Sequence, residues 1–388
     1  MVASLRRMAV RAEALEDPAS VAAAWRSMAE SVGNAFLTPE WFGAWREHYG
    51  GDSDAVVVRV RDADDPARVL GLLPFTHRGR EVRFAGHNVG DLFAPLAAPG
   101  LEDEVVRSAA GVVADVVGGT GRRRARLVLD NVERGAPWLR VFADAWPGRL
   151  ATTEVLTSVV PRLRLGGRSW EDFLASRSRN FRSQWGRRHR AMEREHDLVF
   201  RRADDPARLR ADMATFFALH TARWSTRGGS SSAGARVRAF HTDWAGRALE
   251  RGWLRLWFLE LDGVPVAAFY GWLIGGRYSY YLAGFDPAHG PKSPGLVLLA
   301  HTIRDAIEEG AQVYDLLLGD EPYKQRFADQ NLPVATVVMA GTLDPATWRA
   351  VGTSGLRSVA GHVPGGVRSR ARTAVRAAGV TLPGARRR

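Results

Sequence analysis

A cluster of side chains that can transfer protons follows a strongly apolar segment near residue 320. Val313–Leu318 has the composition of a buried strand, and Asp320-Glu321-Pro322-Tyr323-Lys324 comes directly after it. In an α/β sheet the carboxyl end of such a strand borders the ligand crevice. A carboxylate can take a proton from an attacking group, and a phenol can return one to a leaving group. We therefore expect Glu321, Tyr323 and Lys324 to be catalytic, with an acidic first helical turn beside a half-buried tyrosine as the alternative.

A second candidate site is the start of a predicted helix at residue 294. Free N–H groups at a helix start bind phosphate, and a glycine there lets a ligand approach the backbone. No carboxylate occurs between Asp286 and Asp305, so no acidic side chain repels an anion. An ordinary Pro/Gly helix start has the same pattern. The sequence predicts that a phosphate-bearing ligand is held by Lys292, Ser293, Gly295 and Leu296.

The use of lysine and cysteine supports these choices. Of 54 basic residues only two are lysine, Lys292 and Lys324, and each lies in one of the two segments. Lysine can deprotonate or bind phosphate as a compact charge, whereas arginine presents a planar fork. Cysteine is absent, which excludes disulfides and thiolate chemistry. The sequence has no metal-ligand spacing, no Walker loop and no Gly-x-Ser-x-Gly, so no metal is expected.

The net charge of +12 is concentrated at the C-terminus. Residues 346–388 contain nine arginines and no carboxylate, so 45 basic residues face 42 acidic ones elsewhere, a net charge of +3. This segment, rich in Gly, Ala and Arg, is expected to be a flexible tail, with weak contact to an anionic surface as the alternative. A second basic cluster at 177–194 is interrupted by Phe181 and Trp185 and reads as an amphipathic surface helix, although it could also hold a polyphosphate.

The predicted elements occur in the same order twice. In each half the predicted order is a strand, two helices, a three-stranded meander and a loop, followed by a helix, a strand and a helix. Two dipeptides typical of hairpin turns, Asp262-Gly263 and Gly275-Gly276, lie in the second meander. We expect an α/β fold with a mixed sheet and two halves of one architecture. The N-terminal counterpart of the helix start at 294 carries Glu102-Asp103-Glu104, which would repel a phosphate, so we expect that half to be degenerate. The predicted domains are 1–155, 156–345 and the tail 346–388.

This element order resembles that of the GNAT acyltransferases. The C-terminal half is similar to the acetyltransferase family that includes CelD and BcsL proteins, and the doubled architecture resembles the FemAB aminoacyltransferases. The phosphate loop departs from the usual GNAT pattern, because only Gly295 remains of its glycine-rich turn. The segments that carry the resemblance are Arg179–Arg182, Leu219–Trp224, Gly252–Phe269, Tyr280–Phe285, Ser293–Gly295, Gly319–Lys324 and, in the N-terminal half, Gly90–Phe93.

The resemblance implies a reaction and a set of site residues. Acetyl-CoA or another acyl-CoA would be the co-substrate, Tyr323 would protonate the leaving thiolate, and Glu321 would take the proton of the amine. Asp91 would orient a cationic acceptor. Further residues that would bind the substrate are Arg179, Asn180, Arg223, Trp224 and Tyr281. Tyr280 is the alternative to Tyr281, and Trp224 could equally be part of the core.

We therefore expect a cytoplasmic N-acyltransferase, since neither a signal peptide nor a membrane span is recognisable. Its acceptor would be an amine of a small molecule or sugar precursor in polysaccharide or secondary metabolism. Two alternatives remain. One is a FemAB-type transferase that depends on aminoacyl-tRNA, with the basic cluster and the tail holding RNA, and the other is a non-catalytic pair of GNAT folds acting as a scaffold.

Overall fold

The computed structural model describes residues 9–117, 125–148, 150–225 and 234–341. They form two compact units. In the described chain, unit 1 comprises residues 9–31, 36–158 and 333–341, and unit 2 comprises Val32–Ala35 and Val159–Leu332. The last strand, counted with the C-terminal half in the sequence analysis, thus belongs mostly to unit 1. The predicted tail, 346–388, lies outside the described residues.

Unit 1 is built on a mixed sheet with helices. Its strands follow the order β1-β2-β3-β4-β6-β13, with β5 paired to β3. Among the strand pairs described within unit 1, β4 and β6 are the one pair that runs parallel. The elements are β1 Val10–Ala14, α1 Ala22–Ser31, α2 Pro39–Tyr49, β2 Asp54–Asp62, β3 Val69–Arg78, β4 Glu81–Phe84, β5 Leu96–Ala97, α3 Glu102–Val116, β6 Arg126–Glu133, α4 Pro137–Ala145 and the final strand β13 Gln330–Gly341.

Unit 2 repeats the plan. The strand order is β7-β12-β11-β10-β9-β8, and within the described part of this unit β11 and β12 are the one parallel pair. The elements are the second part of β7 Leu150–Arg164, whose residues 150–158 belong to unit 1, and α5 Trp170–Ser176, α6 Arg179–Glu195, β8 Leu198–Arg202, α7 Leu209–Ser225, α8 Ala235–Glu250, β9 Leu254–Leu261, β10 Val264–Ile274, β11 Arg277–Phe285, α9 Pro294–Glu308, β12 Val313–Asp315 and α10 Pro322–Gln325. The expected mixed α/β fold of two similar units is confirmed.

Local sequence signals explain the meander of unit 2. Asp262 and Gly263 have φ of 54° and 78°, and Gly275 and Gly276 have 54° and 73°. Two consecutive residues with positive φ form the tight turn whose twist matches that of the flanking strands. The hairpin signals therefore set the register of β9, β10 and β11.

Two predicted elements differ from the structure. The amphipathic helix predicted for 177–194 begins only at Arg179, because Arg177 is extended and the Ser178 hydroxyl accepts the Phe181 N–H as the cap of α6. The predicted strand Val313–Leu318 is paired only as far as Asp315. Leu317 has φ of 52°, a left-handed conformation that ends a strand.

Candidate active site

The parallel strands β11 and β12 of unit 2 separate after three residue pairs. Their register runs from Arg277 opposite Val313 to Ser279 opposite Asp315. Beyond this point β11 continues to Phe285, whereas the chain after Asp315 follows β7 through hydrogen bonds from Leu316 N to Pro161 O and from Gly319 N to Val159 O, at 2.9 and 3.0 Å. The strands thus form a wedge that opens toward the carboxyl end of β11.

Buried charge fixes the point of divergence. Asp315 is fully buried, and one carboxylate oxygen accepts from Arg162 Nε at 2.9 Å and from Arg277 Nη1 at 3.1 Å. The other oxygen accepts the Leu317 N–H at 2.9 Å. A carboxylate with three donors is well compensated for its burial. Asp315 thereby holds Leu317 in its left-handed turn and directs the chain away from β11.

Two phenols meet beside this wedge. Tyr323, on α10, donates from its hydroxyl to the Tyr280 hydroxyl of β11 at 3.4 Å. Burial raises the pKa of Tyr323 well above 10, the neighbouring Tyr280 raises that pKa further, and the Arg223 guanidinium opposes the rise. Tyr323 therefore remains a protonated phenol near neutral pH and can act as a proton donor.

Arg223 supports these phenols from α7. Its guanidinium lies 5.6 Å from the Tyr323 ring and 5.5 Å from the Phe285 ring, and Nη1 donates to the Ala283 carbonyl at 3.3 Å. His220, one turn earlier, bonds the same carbonyl through Nδ1 at 2.9 Å. The close approach of α7 to β11 depends on Gly284, since a Cβ there would lie 2.3 Å from the His220 nitrogen.

Glu321 and Lys324 flank Tyr323 and contact each other. Lys324 is 5% exposed, and its Nζ donates to Leu318 O at 2.8 Å and pairs with Glu321 Oε2 at 3.2 Å. The Glu321 carboxylate also occupies the space beside Gly319, where a Cβ would lie 2.3 Å from Oε2. Glu321, Tyr323 and Lys324 are thus brought together, with Lys324 held by the turn that follows β12.

The start of α9 lies at the same end of β11. Ser293 precedes the helix with φ of 54°, and Pro294 is its first residue. Gly295 is near Phe285, the last residue of β11, with 3.6 Å between a Cβ built on the glycine and the phenylalanine ring. The first turn contains no acidic residue. Leu296 is partly buried against the core, so Ser293 and Gly295 provide the approachable part of this helix start.

Lys292 is engaged in a charged cluster. Its Nζ lies 2.9 Å from Glu195 Oε2 and 2.7 Å from His196 Nε2, and His196 Nδ1 lies 2.6 Å from Asp262 Oδ2. The Lys292 ammonium holds the pKa of Glu195 below its usual value, through a hydrogen bond and through its charge. An anion at the start of α9 would have to compete with Glu195 for this lysine.

The other predicted substrate-binding residues are dispersed. Tyr281 points to the opposite side of the sheet from Tyr280 and packs against His241 and Trp272, at 5.3 and 5.1 Å between ring centroids. Asn180 accepts from Gln184, and Arg179 is exposed at the start of α6. Asp91 lies in unit 1, and the side chain of Trp224 lies outside the described residues.

Tyr280, the alternative to Tyr281, is the phenol of β11 that lies beside Tyr323. Alternation along β11 places Tyr278 and Tyr280 on one face and Tyr281 on the other. Which of these two faces borders the candidate site depends on where α10 packs, and the alternation along β11 gives no information about the position of α10.

The corresponding wedge of unit 1 is filled by its own chain. β4 and β6 also separate, after the pairs Glu81–Arg126 and Val82–Leu127. Phe93 is 1% exposed, stacks on Phe84 at 5.5 Å and donates its N–H to Asn131 O at 3.2 Å. The following helix, α3, has three acidic residues in its first turn. Unit 1 therefore presents a closed wedge and an acidic helix start.

Comparison with known proteins assigns the fold. Residues 179–325 match the family model of the acetyltransferase (GNAT) domain. No curated protein sequence matches the chain. The structure of FemX is similar with a TM-score of 0.59 and 9% identity, over 84% of this chain and 96% of that one.

Two further solved structures are similar over most of their length. The C-terminal domain (DUF2156) of a putative lysylphosphatidylglycerol synthetase from Agrobacterium fabrum has a TM-score of 0.54 and 13% identity, covering 88% of this chain and 97% of that one. L-PGS from Bacillus licheniformis has a TM-score of 0.53 and 14% identity, covering 88% of this chain and 96% of that one. In the described part of the chain no helix is long and apolar enough to cross a membrane. The chain has a GNAT-like, FemAB-like fold of two similar units, with a GNAT domain match over residues 179–325.

Proposed function

We propose that this protein is an acyltransferase that uses an acyl-CoA thioester, acetyl-CoA in the simplest case, to acylate an amine. The observation that carries the proposal is the wedge between β11 and β12, with the start of α9 and the Tyr280–Tyr323 pair at its open end. An extended ligand can add along the open edge of a strand while its phosphates meet a helix start. A CoA thioester has this shape and charge.

The donor would be held by unit 2 alone. Its pyrophosphate would lie at Ser293 and Gly295, with Lys292 released from Glu195 to pair with it and Leu296 in apolar contact. Because the wedge of unit 1 contains Phe93 and its helix start is acidic, we propose one donor site per chain.

The chemical step requires two proton transfers. The acceptor amine attacks the thioester carbonyl, its proton passes to the Glu321 carboxylate directly or through water, and the C–S bond breaks. The Tyr323 hydroxyl gives its proton to the leaving thiolate, and the Tyr280 hydroxyl 3.4 Å away stabilises the resulting phenolate. Lys324, bonded to Leu318 O and paired with Glu321, would orient the base.

The acceptor is proposed as an amine of a small molecule or sugar precursor in polysaccharide or secondary metabolism, as in the CelD/BcsL-like family. Arg223, beside Tyr323, is the predicted substrate-binding residue nearest to the proposed chemistry. Asp91, Arg179, Asn180, Trp224 and Tyr281 remain proposed acceptor ligands.

Calorimetric titration of the full chain with acetyl-CoA and, separately, with deacylated tRNA tests the proposal. We expect acetyl-CoA to bind with a stoichiometry of one and to bind about tenfold more weakly to Lys292→Ala, since a phosphate contact is lost. Absence of acetyl-CoA binding together with strongly salt-dependent tRNA binding would contradict the proposal and favour aminoacyl-tRNA as donor. Absence of both would favour the non-catalytic scaffold.

A further inference from the structure

Helix α6 carries a row of arginines on one side. Arg179, Arg187, Arg190 and Arg194 are all exposed. At 3.6 residues per turn, their positions fall within an arc of about 80°. With a rise of 1.5 Å per residue, the row is about 22 Å long. We call these four residues the α6 arginine row.

The guanidinium groups of this row take little part in the fold, although the charge of Arg194 adds to that of Lys292 in lowering the pKa of Glu195. None of the four makes a hydrogen bond or ion pair with another residue of the described chain. By contrast, Arg177 and Arg182 on the same segment donate to backbone carbonyls of Phe327 and Arg177. The row is therefore distinct from the arginines that stabilise unit 2.

The acidic residues of α6 are also engaged elsewhere. Glu193 lies 3.3 Å from His189, and Glu195 pairs with Lys292. Like charges three or four residues apart on a helix destabilise it by about 0.2–0.5 kcal/mol per pair. Arg187, Arg190 and Arg194 have this spacing, so their mutual repulsion destabilises α6. The described contacts do not compensate for this repulsion.

The buried side of α6 indicates which polyanion fits. Phe181 and Met192 are 2% and 1% exposed, and Trp185 packs against Trp170 with 5.3 Å between centroids. The helix thus has no large apolar side chain free to enter a lipid layer, which membrane-surface helices combine with their positive charge. Planar guanidinium groups spaced along a straight helix can each bind one phosphate of a linear series.

We propose that the α6 arginine row binds the phosphodiester backbone of a nucleic acid. The contacts are to phosphate oxygens, so they position the nucleic acid without reading its sequence. Arg179, the first residue of the row, is also a proposed acceptor ligand, so the test leaves it unchanged; the other three arginines have no part in the proposed acyl transfer.

The test is the salt dependence of binding by the full chain to deacylated tRNA and to a DNA duplex of similar length. The variant is Arg187→Gln, Arg190→Gln and Arg194→Gln together. Its matched control is Arg208→Gln, Arg210→Gln and Arg304→Gln, three exposed arginines on other segments, with the same change in net charge. Thermal unfolding of both variants verifies that they fold, and the three single substitutions serve if the triple variant does not.

Each phosphate contact contributes about 0.9 to the slope of log K against log salt. We expect the row variant to reduce this slope by about 2 to 3 and affinity by more than tenfold, while the control retains the wild-type slope. Equal loss in both variants would overturn the proposal, because the attraction would then come from net charge alone. Binding to phosphatidylglycerol vesicles with none to tRNA or DNA would also overturn it. Preference for tRNA over the duplex would identify RNA as the source of the phosphates.

Discussion

At the scale of single residues, the candidate site depends on which side chains reach the open end of one wedge. Tyr323 and Tyr280 do so from α10 and β11, whereas Tyr281, next to Tyr280 in sequence, packs against His241 on the other side of the sheet. The predicted catalytic segment 321–324 could be found from sequence, because acidic and phenolic residues after a buried strand are a local signal. The choice of Tyr280 over Tyr281 could not be made from sequence, because it depends on a contact across 43 residues.

Substitution of Tyr323 by Phe tests the proposed proton donor. We expect thiol release from acetyl-CoA to slow by about a hundredfold, since general acid catalysis typically contributes a factor of 10² to 10⁴. The dissociation constant for acetyl-CoA should stay the same. Tyr278→Phe, on the same strand but with its hydroxyl bonded to Asp305, is the matched control and should keep the wild-type rate; equal loss in both variants would contradict the assignment.

Substitution of Glu195 by Gln tests the competition for Lys292. Without the Glu195 carboxylate at 2.9 Å, the ammonium is free to pair with a phosphate, so we predict severalfold tighter binding of acetyl-CoA at low salt. Glu193→Gln, whose carboxylate pairs with His189 instead, should leave the affinity unchanged. Weaker or unchanged binding in Glu195→Gln would remove Lys292 from the proposed phosphate site.

At the scale of elements, the order of strands and helices could be predicted, but the end of β12 could not. The apolar run Val313–Leu318 has no feature that separates its paired part from its turn. Asp315 ends the pairing through Arg162 and Arg277, which lie 153 and 38 residues away. Long-range ion pairs of this kind leave no local pattern, and the wedge that they create carries the proposed function.

The packing of α7 on β11 gives a prediction about stability. Gly284→Ala would place a Cβ 2.3 Å from the His220 nitrogen and 2.4 Å from the Leu219 carbonyl carbon, which forces the backbone of the helix away. We expect the free energy of unfolding to fall by about 1–3 kcal/mol or more, the range observed when extra atoms are forced into a packed core. Gly246→Ala on α8, where the nearest atom is 3.9 Å away, should instead gain up to about 1 kcal/mol from helix propensity. Denaturant unfolding measures both, and similar stabilities would contradict the packing described.

At the scale of the whole molecule, a pair of parallel strands separates in each unit, and in unit 1 Phe93 is buried against one of them. The repeated element order and the acidic start of α3 could be inferred from sequence. The position of Phe93 in the wedge of unit 1 could not be inferred from sequence. A buried phenylalanine in a loop has the same sequence pattern whether it fills a ligand site or packs in the core.

Buried neutral histidine predicts how stability depends on pH. His241 is 1% exposed, and burial lowers its pKa from 6.5 to about 3. Between these values the unfolded chain binds a proton that the folded chain does not, so stability falls as the pH decreases from about 6.5. By pH 4 this histidine accounts for a loss of about 3 kcal/mol. Urea unfolding should show a smaller loss for His241→Phe than for the wild type over this range; equal losses would contradict a neutral His241.

The central claim is that an acyl-CoA binds in the wedge of unit 2 and nowhere in unit 1. Hydrogen exchange with and without saturating acetyl-CoA tests it most directly, because it locates the ligand without requiring the acceptor. We expect slower exchange in residues 280–285, 293–297 and 316–323, and unchanged exchange in residues 84–104. Protection in residues 84–104, or none in the start of α9, would contradict it.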